Sequence, residues 1–61
     1  VEPTETQYLL VNALEALGLL KENTYDEITG RWYINTSSPV LPLAVILRNG
    51  DLAPVWWTWE L

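Results

Sequence analysis

No cysteine, histidine, methionine or phenylalanine occurs among the 61 residues. The first two absences empty most of the catalytic inventory, leaving no thiolate nucleophile, no imidazole base and none of the usual zinc or haem ligand sets. They also rule out a disulfide, so a chain that buries only about 60% of its unfolded surface has no covalent staple. Basic residues are nearly as scarce: Lys21, Arg31 and Arg48 stand against eight carboxylates, for a net charge of −5. Such a balance disfavours phosphate backbones and anionic membranes. Long apolar runs are missing too. The longest, Val40 to Leu47, falls far below the roughly 18 residues a membrane span needs, and nothing resembles a secretory signal. The lack of cysteine fits a cytoplasmic setting, which is the expected localisation. With Val1 and not methionine at its head, the chain is expected to have been processed or trimmed.

Apolar surface is what remains. Hydrophobic residues make up 49% of the chain and four residues are tryptophan, which argues against disorder. One small domain over 1–61 is expected, with oligomerisation or a partner as its remaining source of stability.

The first segment reads as a helix over about 5–17. Thr4 followed three residues later by Gln7 fits a capping box, and Glu5 sits where the helix dipole favours negative charge. Leu10, Ala13, Leu14 and Leu17 recur at helical spacing, widened by Leu9, Ala16 and Leu20, and predict one broad buried face. Tyr8 and Val11 fall beside Asn12 and Glu15 and are expected outside. Gly18 supplies the left-handed stop, with Leu19 folding back over it and Lys21 near the negative end.

Thr24 to Ile34 reads as a hairpin with Ile28-Thr29-Gly30 as its loop, which sets Glu27 against Arg31 and Tyr25 against Tyr33. Trp32 and Ile34 then face the core and both tyrosines face outward. A second hairpin, over about 41–60, turns at Asn49-Gly50. Its two-residue register pairs Arg48 with Asp51, Ile46 with Ala53 and Leu43 with Trp56. Pro54 falls in a non-bonded pair and marks a sheet edge, and Pro42 stops the ladder near Leu43. The expected fold is therefore α+β: one N-terminal helix on an antiparallel sheet of three to four strands built from two β-hairpins.

Alternation sorts the second hairpin into two faces. One carries Ala44, Ile46, Ala53 and Val55, extended by Trp57, Trp59 and Leu61. The other carries Leu41, Leu43, Val45, Leu47, Leu52 and Trp56. Both are apolar, yet one helix covers only one side of a sheet, so the second set is expected to form an interface. Trp56 is its candidate anchor, because aromatic residues are enriched at binding hot spots, and Tyr25 and Tyr33 add to it. Trp32, Trp57 and Trp59 are expected in the core.

Little else carries chemistry. Asp26 and Glu27 are adjacent on a strand and point to opposite faces, so they cannot converge as an acid/base pair. Ser37 and Ser38 have no base to activate them. Asn35-Thr36-Ser37 matches a glycosylation acceptor, a short pattern that chance produces often. No enzymatic activity, metal or cofactor is expected, and a chain this short leaves little room for an enclosed small-molecule cavity.

From Leu9 to Tyr33, a leucine-rich helix ending in Gly18 and a charged hairpin closing on Gly30-Arg31-Trp32 resemble the recognition helix and wing of winged-helix proteins. The resemblance implies nucleic-acid binding through Tyr8, Asn12 and Glu15, a face without lysine or arginine, and through a wing that carries Asp26 and Glu27. The leading expectation is a non-enzymatic protein-interaction domain that uses an apolar sheet face, or the edge from Pro54 to Leu61, to form a homodimer or to dock on a larger protein. The alternatives are an acidic regulator that mimics nucleic acid and a degenerate winged-helix binder.

Overall fold

The capping box forms as its spacing predicts. The Thr4 hydroxyl accepts from the Gln7 backbone N–H at 3.2 Å, and the Gln7 side-chain carbonyl accepts from the Thr4 N–H at 2.9 Å. Helix α1 then runs over Glu5–Ala16. Gly18, at φ +72°, ends it. The N–H of Leu19 reaches the Leu14 carbonyl and that of Gly18 the Glu15 carbonyl, both at 3.0 Å, which are the paired bonds of a Schellman motif.

The structure, a computed structural model, describes residues 1–56. After α1 come β1 (Leu20–Asp26), β2 (Arg31–Thr36), β3 (Leu43–Ile46) and β4 (Leu52–Pro54). All are antiparallel, and each pairs with its neighbour in sequence, in the order β1-β2-β3-β4. The fold is α+β, with one helix packed on a four-stranded sheet. Pro42 lies just before β3 and Pro54 closes the edge strand β4, so neither proline occupies a central ladder position that needs its N–H.

Both hairpins close one residue away from the expected register. In the first, Asp26 opposes Arg31 and Tyr25 opposes Trp32, so the loop is the four residues 27–30. The Gly30 N–H returns to the Asp26 carbonyl at 2.8 Å, and the Asp26 carboxylate holds the Ile28 N–H at 2.9 Å and the Thr29 hydroxyl at 2.8 Å. That carboxylate organises the loop, which spacing alone does not reveal. Tyr25 consequently turns inward beside Trp32, whereas Tyr33 stays on the opposite face as expected.

In the second hairpin Ile46 opposes Leu52, Val45 opposes Ala53 and Ala44 opposes Pro54. The loop is Arg48-Asn49-Gly50, with the Gly50 N–H on the Leu47 carbonyl and the Leu47 N–H on the Asp51 carbonyl, both at 2.8 Å. Only Gly50 has positive φ there, at +91°, which fits a type I turn followed by a glycine bulge. Asn49 bonds Asp51 with its side chain instead. Arg48 does not face Asp51; its guanidinium reaches the Glu2 carbonyl and the Tyr25 hydroxyl.

The core lies between α1 and one side of the sheet. Val11, Trp32, Ile34, Ala44 and Ile46 form it, with Leu10, Leu14, Leu20, Tyr25 and Leu41 packed around. The helix therefore turns a different side inward from the one its leucines predict. Gln7 and Val11 are buried and Leu10 and Leu14 partly so, whereas Leu9, Ala13, Ala16 and Leu17 are exposed. The inward set 7, 10, 11 and 14 keeps the helical spacing, but a glutamine holds one of its positions. Trp57, Trp59 and Leu61, assigned above to the sheet faces and the core, lie outside the described residues.

Candidate interaction surface

Strand pairing and alternation place Glu22, Thr24, Asp26, Arg31, Tyr33, Asn35, Leu43, Val45 and Ala53 on the face of the sheet turned away from α1. Val45 and Ala53 are buried within it, Val45 completely. Leu43 is 53% exposed. It borders a groove of ≈ 260 Å³ whose lining includes Glu22, Thr24, Tyr33, Asn35 and Val55. Two carboxylates against the single guanidinium of Arg31 leave this face close to neutral, while the whole chain carries −5.

The residues expected to form one interface do not share one surface. Leu43 keeps its place on the far face. Val45 is enclosed and offers no side chain to a partner. Leu52 is partly exposed but pairs with Ile46, on the helix-facing side of the edge strand. Leu41 and Tyr25 pack against the core, Leu47 is half-buried just past β3, and Tyr33 is half-buried beside the groove. Trp56 is exposed in a short helical turn after β4. Among the described residues the acidic side chains do not gather either: Glu2 precedes the helix, Glu5 and Glu15 lie on it, Glu22 and Asp26 on the far face, and Glu27 and Asp51 at the two hairpin ends.

Beneath α1 sits the residue that sequence reasoning missed. Gln7 has no exposed surface, and its amide donates to the Gly30 carbonyl at 2.8 Å and the Ile46 carbonyl at 3.0 Å. One side chain thus ties the helix to the end of the first hairpin and to the central strand β3. The Thr4 hydroxyl adds a bond of 2.7 Å to the Arg48 carbonyl, anchoring the helix start to the second hairpin. Trp32 is framed on the same side of the sheet. Tyr8 and Tyr25 meet its ring edge to face, each with centroids 5.4 Å away, and its indole N–H donates to the Asn23 side chain at 3.1 Å. The capping box pointed to position 7, but hydropathy gave no sign that its side chain would be enclosed.

Hydrogen bonds also set the ionisation of Asp26. The Thr29 hydroxyl, then the Ile28 N–H, hold the Asp26 carboxyl below its ordinary range, and Arg31 across the strand pair acts the same way. Among the described residues no group of three or more acidic side chains is placed to hold a metal ion, and no helix is long and apolar enough to cross a membrane.

The outward side of α1 is the other apolar surface. Leu9 is 62% exposed and Leu17 71%, with Ala13 exposed between them on the same row and Ala16 beside it. In the segment that resembles a winged helix, Tyr8 packs its ring on Trp32 and the hairpin continues directly into the four-stranded sheet. Comparison of the chain with protein-family models, curated proteins and solved structures finds no match.

Proposed function

We propose that this chain is a small non-enzymatic interaction domain that docks on a larger protein through the sheet face turned away from α1. The observation that carries the reading is Leu43, a leucine half exposed at the rim of a mainly apolar groove in which Glu22 is the one charged side chain among the described lining residues. Surface leucines are ordinary one at a time, but a concave apolar site rimmed by hydrogen-bonding side chains is the form a docking surface takes. At ≈ 260 Å³ the groove falls below the roughly 300–1,000 Å³ of small-molecule clefts. It matches one apolar side chain of a protein partner, with the Thr24 hydroxyl and the Asn35 side-chain carbonyl placed to bond the partner's backbone, the Asn35 amide nitrogen being engaged by Glu22. The low charge of this face favours a partner surface that is itself near neutral.

A random-peptide display selection on the immobilised protein, followed by nitrogen-15 NMR with the enriched peptides, tests the reading. Peptides with an apolar anchor should shift Thr24, Tyr33, Asn35 and Leu43 and should fail to bind Leu43→Asp. Enriched peptides that bind that variant as well as wild type would sink the proposal.

A further inference from the structure

The turn at Asn49-Gly50 carries a chemistry of its own. The chain holds four asparagines, and only Asn49 precedes a glycine, whose missing Cβ leaves its nitrogen unshielded. We infer that Asn49 is a site of spontaneous conversion to isoaspartate, held shut by the docked start of α1, so that the modification records the loss of that contact and then fixes it. This does not depend on the docking face proposed above.

The reaction needs only the chain and water. The Gly50 nitrogen attacks Asn49 Cγ, the N–Cγ bond forms, the Cγ–Nδ2 bond breaks, and the side-chain nitrogen leaves as ammonia with the Gly50 amide proton. Water then opens the five-membered imide. Attack at Cγ gives aspartate, whereas attack at the Asn49 main-chain carbonyl gives isoaspartate, whose backbone runs through the former side chain. Asn49 is exposed, so solvent reaches it.

The folded loop opposes the first step in three ways. The Gly50 N–H donates to the Leu47 carbonyl at 2.8 Å, which keeps the proton on the nucleophile. The Asn49 amide is turned to its neighbour instead: Oδ1 accepts from the Asp51 N–H and Nδ2 donates to the Asp51 carboxylate, both at 2.9 Å. A type I turn also sets ψ at its third residue, here Asn49, to about 0°. Ring closure needs that bond rotated well away, to swing the Gly50 nitrogen beneath Cγ.

These restraints are tied to α1. The Thr4 and Thr6 hydroxyls both reach the Arg48 carbonyl, at 2.7 and 3.3 Å, and a Cβ on Gly50 would lie 3.0 Å from the Thr6 Cβ. The loop is thus pinned against the helix start and cannot rotate about Asn49 until that contact opens. Conversion therefore follows the small fraction of molecules that are locally open. The product does not fit back. Isoaspartate lengthens the main chain of a loop that closes on Thr6, and its carboxylate puts a second negative charge where an amide donor faced Asp51. Opening permits the modification, and the modification holds the site open.

Peptide mapping by mass spectrometry, with isoaspartate resolved by chromatography, reads position 49 in protein incubated at mildly alkaline pH. Asn49 should convert far more slowly in the folded chain than in urea, and in urea it should convert ahead of Asn12, Asn23 and Asn35. Thr4→Ala, which cuts a bond between loop and helix, should speed conversion in the folded chain about 5–30-fold. Ile34→Val, which loosens the core away from the loop, should speed it less. Native-state hydrogen exchange on the wild type keeps the test standing even where Thr4→Ala fails to fold: the Gly50 and Gln7 amides should open together, ahead of those of β2 and β3. The chain synthesised with isoaspartate at position 49 should lose protection at the start of α1. Equal conversion in the folded chain and in urea, a Thr4→Ala rate no higher than that of Ile34→Val, a Gly50 amide that opens only with the strands, or unchanged helix protection in the synthetic chain would each overturn the inference.

Discussion

Replacing Gln7 by glutamate keeps the shape of the side chain and removes both donors, so the carbonyls of Gly30 and Ile46 would face a carboxylate in a fully enclosed site. An uncompensated buried charge costs about 3–5 kcal/mol, which is most of the stability of a marginal domain. Urea unfolding followed by tryptophan fluorescence should show Gln7→Glu largely unfolded at neutral pH and partly recovered in mild acid, where the protonated carboxyl can donate one bond. Asp26 gives a pH dependence of opposite origin. Its folded pKa lies below the unfolded value of about 3.9, because the Thr29 hydroxyl and the Ile28 N–H bond the charged form. The stability it contributes is therefore complete above the unfolded pKa and is lost as pH falls through the folded one. Thr29→Val should move the Asp26 titration, read by carboxyl carbon NMR, back toward the ordinary range and flatten the acid limb of stability.

Among the elements, the helix was the most legible because its ends are written in local chemistry. Thr4 with Gln7 gives the start and Gly18 the stop, and both are where the sequence puts them. Thr4→Ala removes the cap and the bond to the Arg48 carbonyl together. It should lower stability by about 1–2 kcal/mol, measured as a drop in the urea midpoint with reduced helical ellipticity. Both hairpins were legible as hairpins, and each register was off by one because loop length is settled by bonds that spacing does not show. In one it is the Asp26 carboxylate gathering Ile28 and Thr29; in the other it is the Asn49 side chain bonding Asp51 while Gly50 takes the positive φ. The inward side of α1 was misread for a related reason. A hydropathy stripe favours leucine, and it cannot register that an amide bridging two carbonyls is worth enclosing.

Taken whole, the molecule is a layer of helix on a layer of sheet, and that architecture was readable from the order of elements. The candidate surface was only partly readable. Alternation along β3 separated Leu43 and Val45 from Ala44 and Ile46 correctly, but burial within a face depends on neighbours that a single strand does not reveal. Val45 and Leu43 share a face, one enclosed and the other half in water. Val45→Asp should therefore abolish the cooperative unfolding transition, whereas Leu43→Asp should move its midpoint only slightly, since exposed positions tolerate polar substitution. Thermal melts of the two variants side by side make the comparison.

The strands pair strictly with their sequence neighbours, while the Gln7 amide joins partners 23 and 39 residues away. In time, this makes the docking of the helix on the sheet a long-range step. Where that docking follows the folding transition state, the Gln7 bonds govern how long the native state survives and not how fast it is reached. Stopped-flow measurements on Gln7→Ala should show faster unfolding and a nearly unchanged folding limb. In that event the lifetime of this small protein is held by one amide.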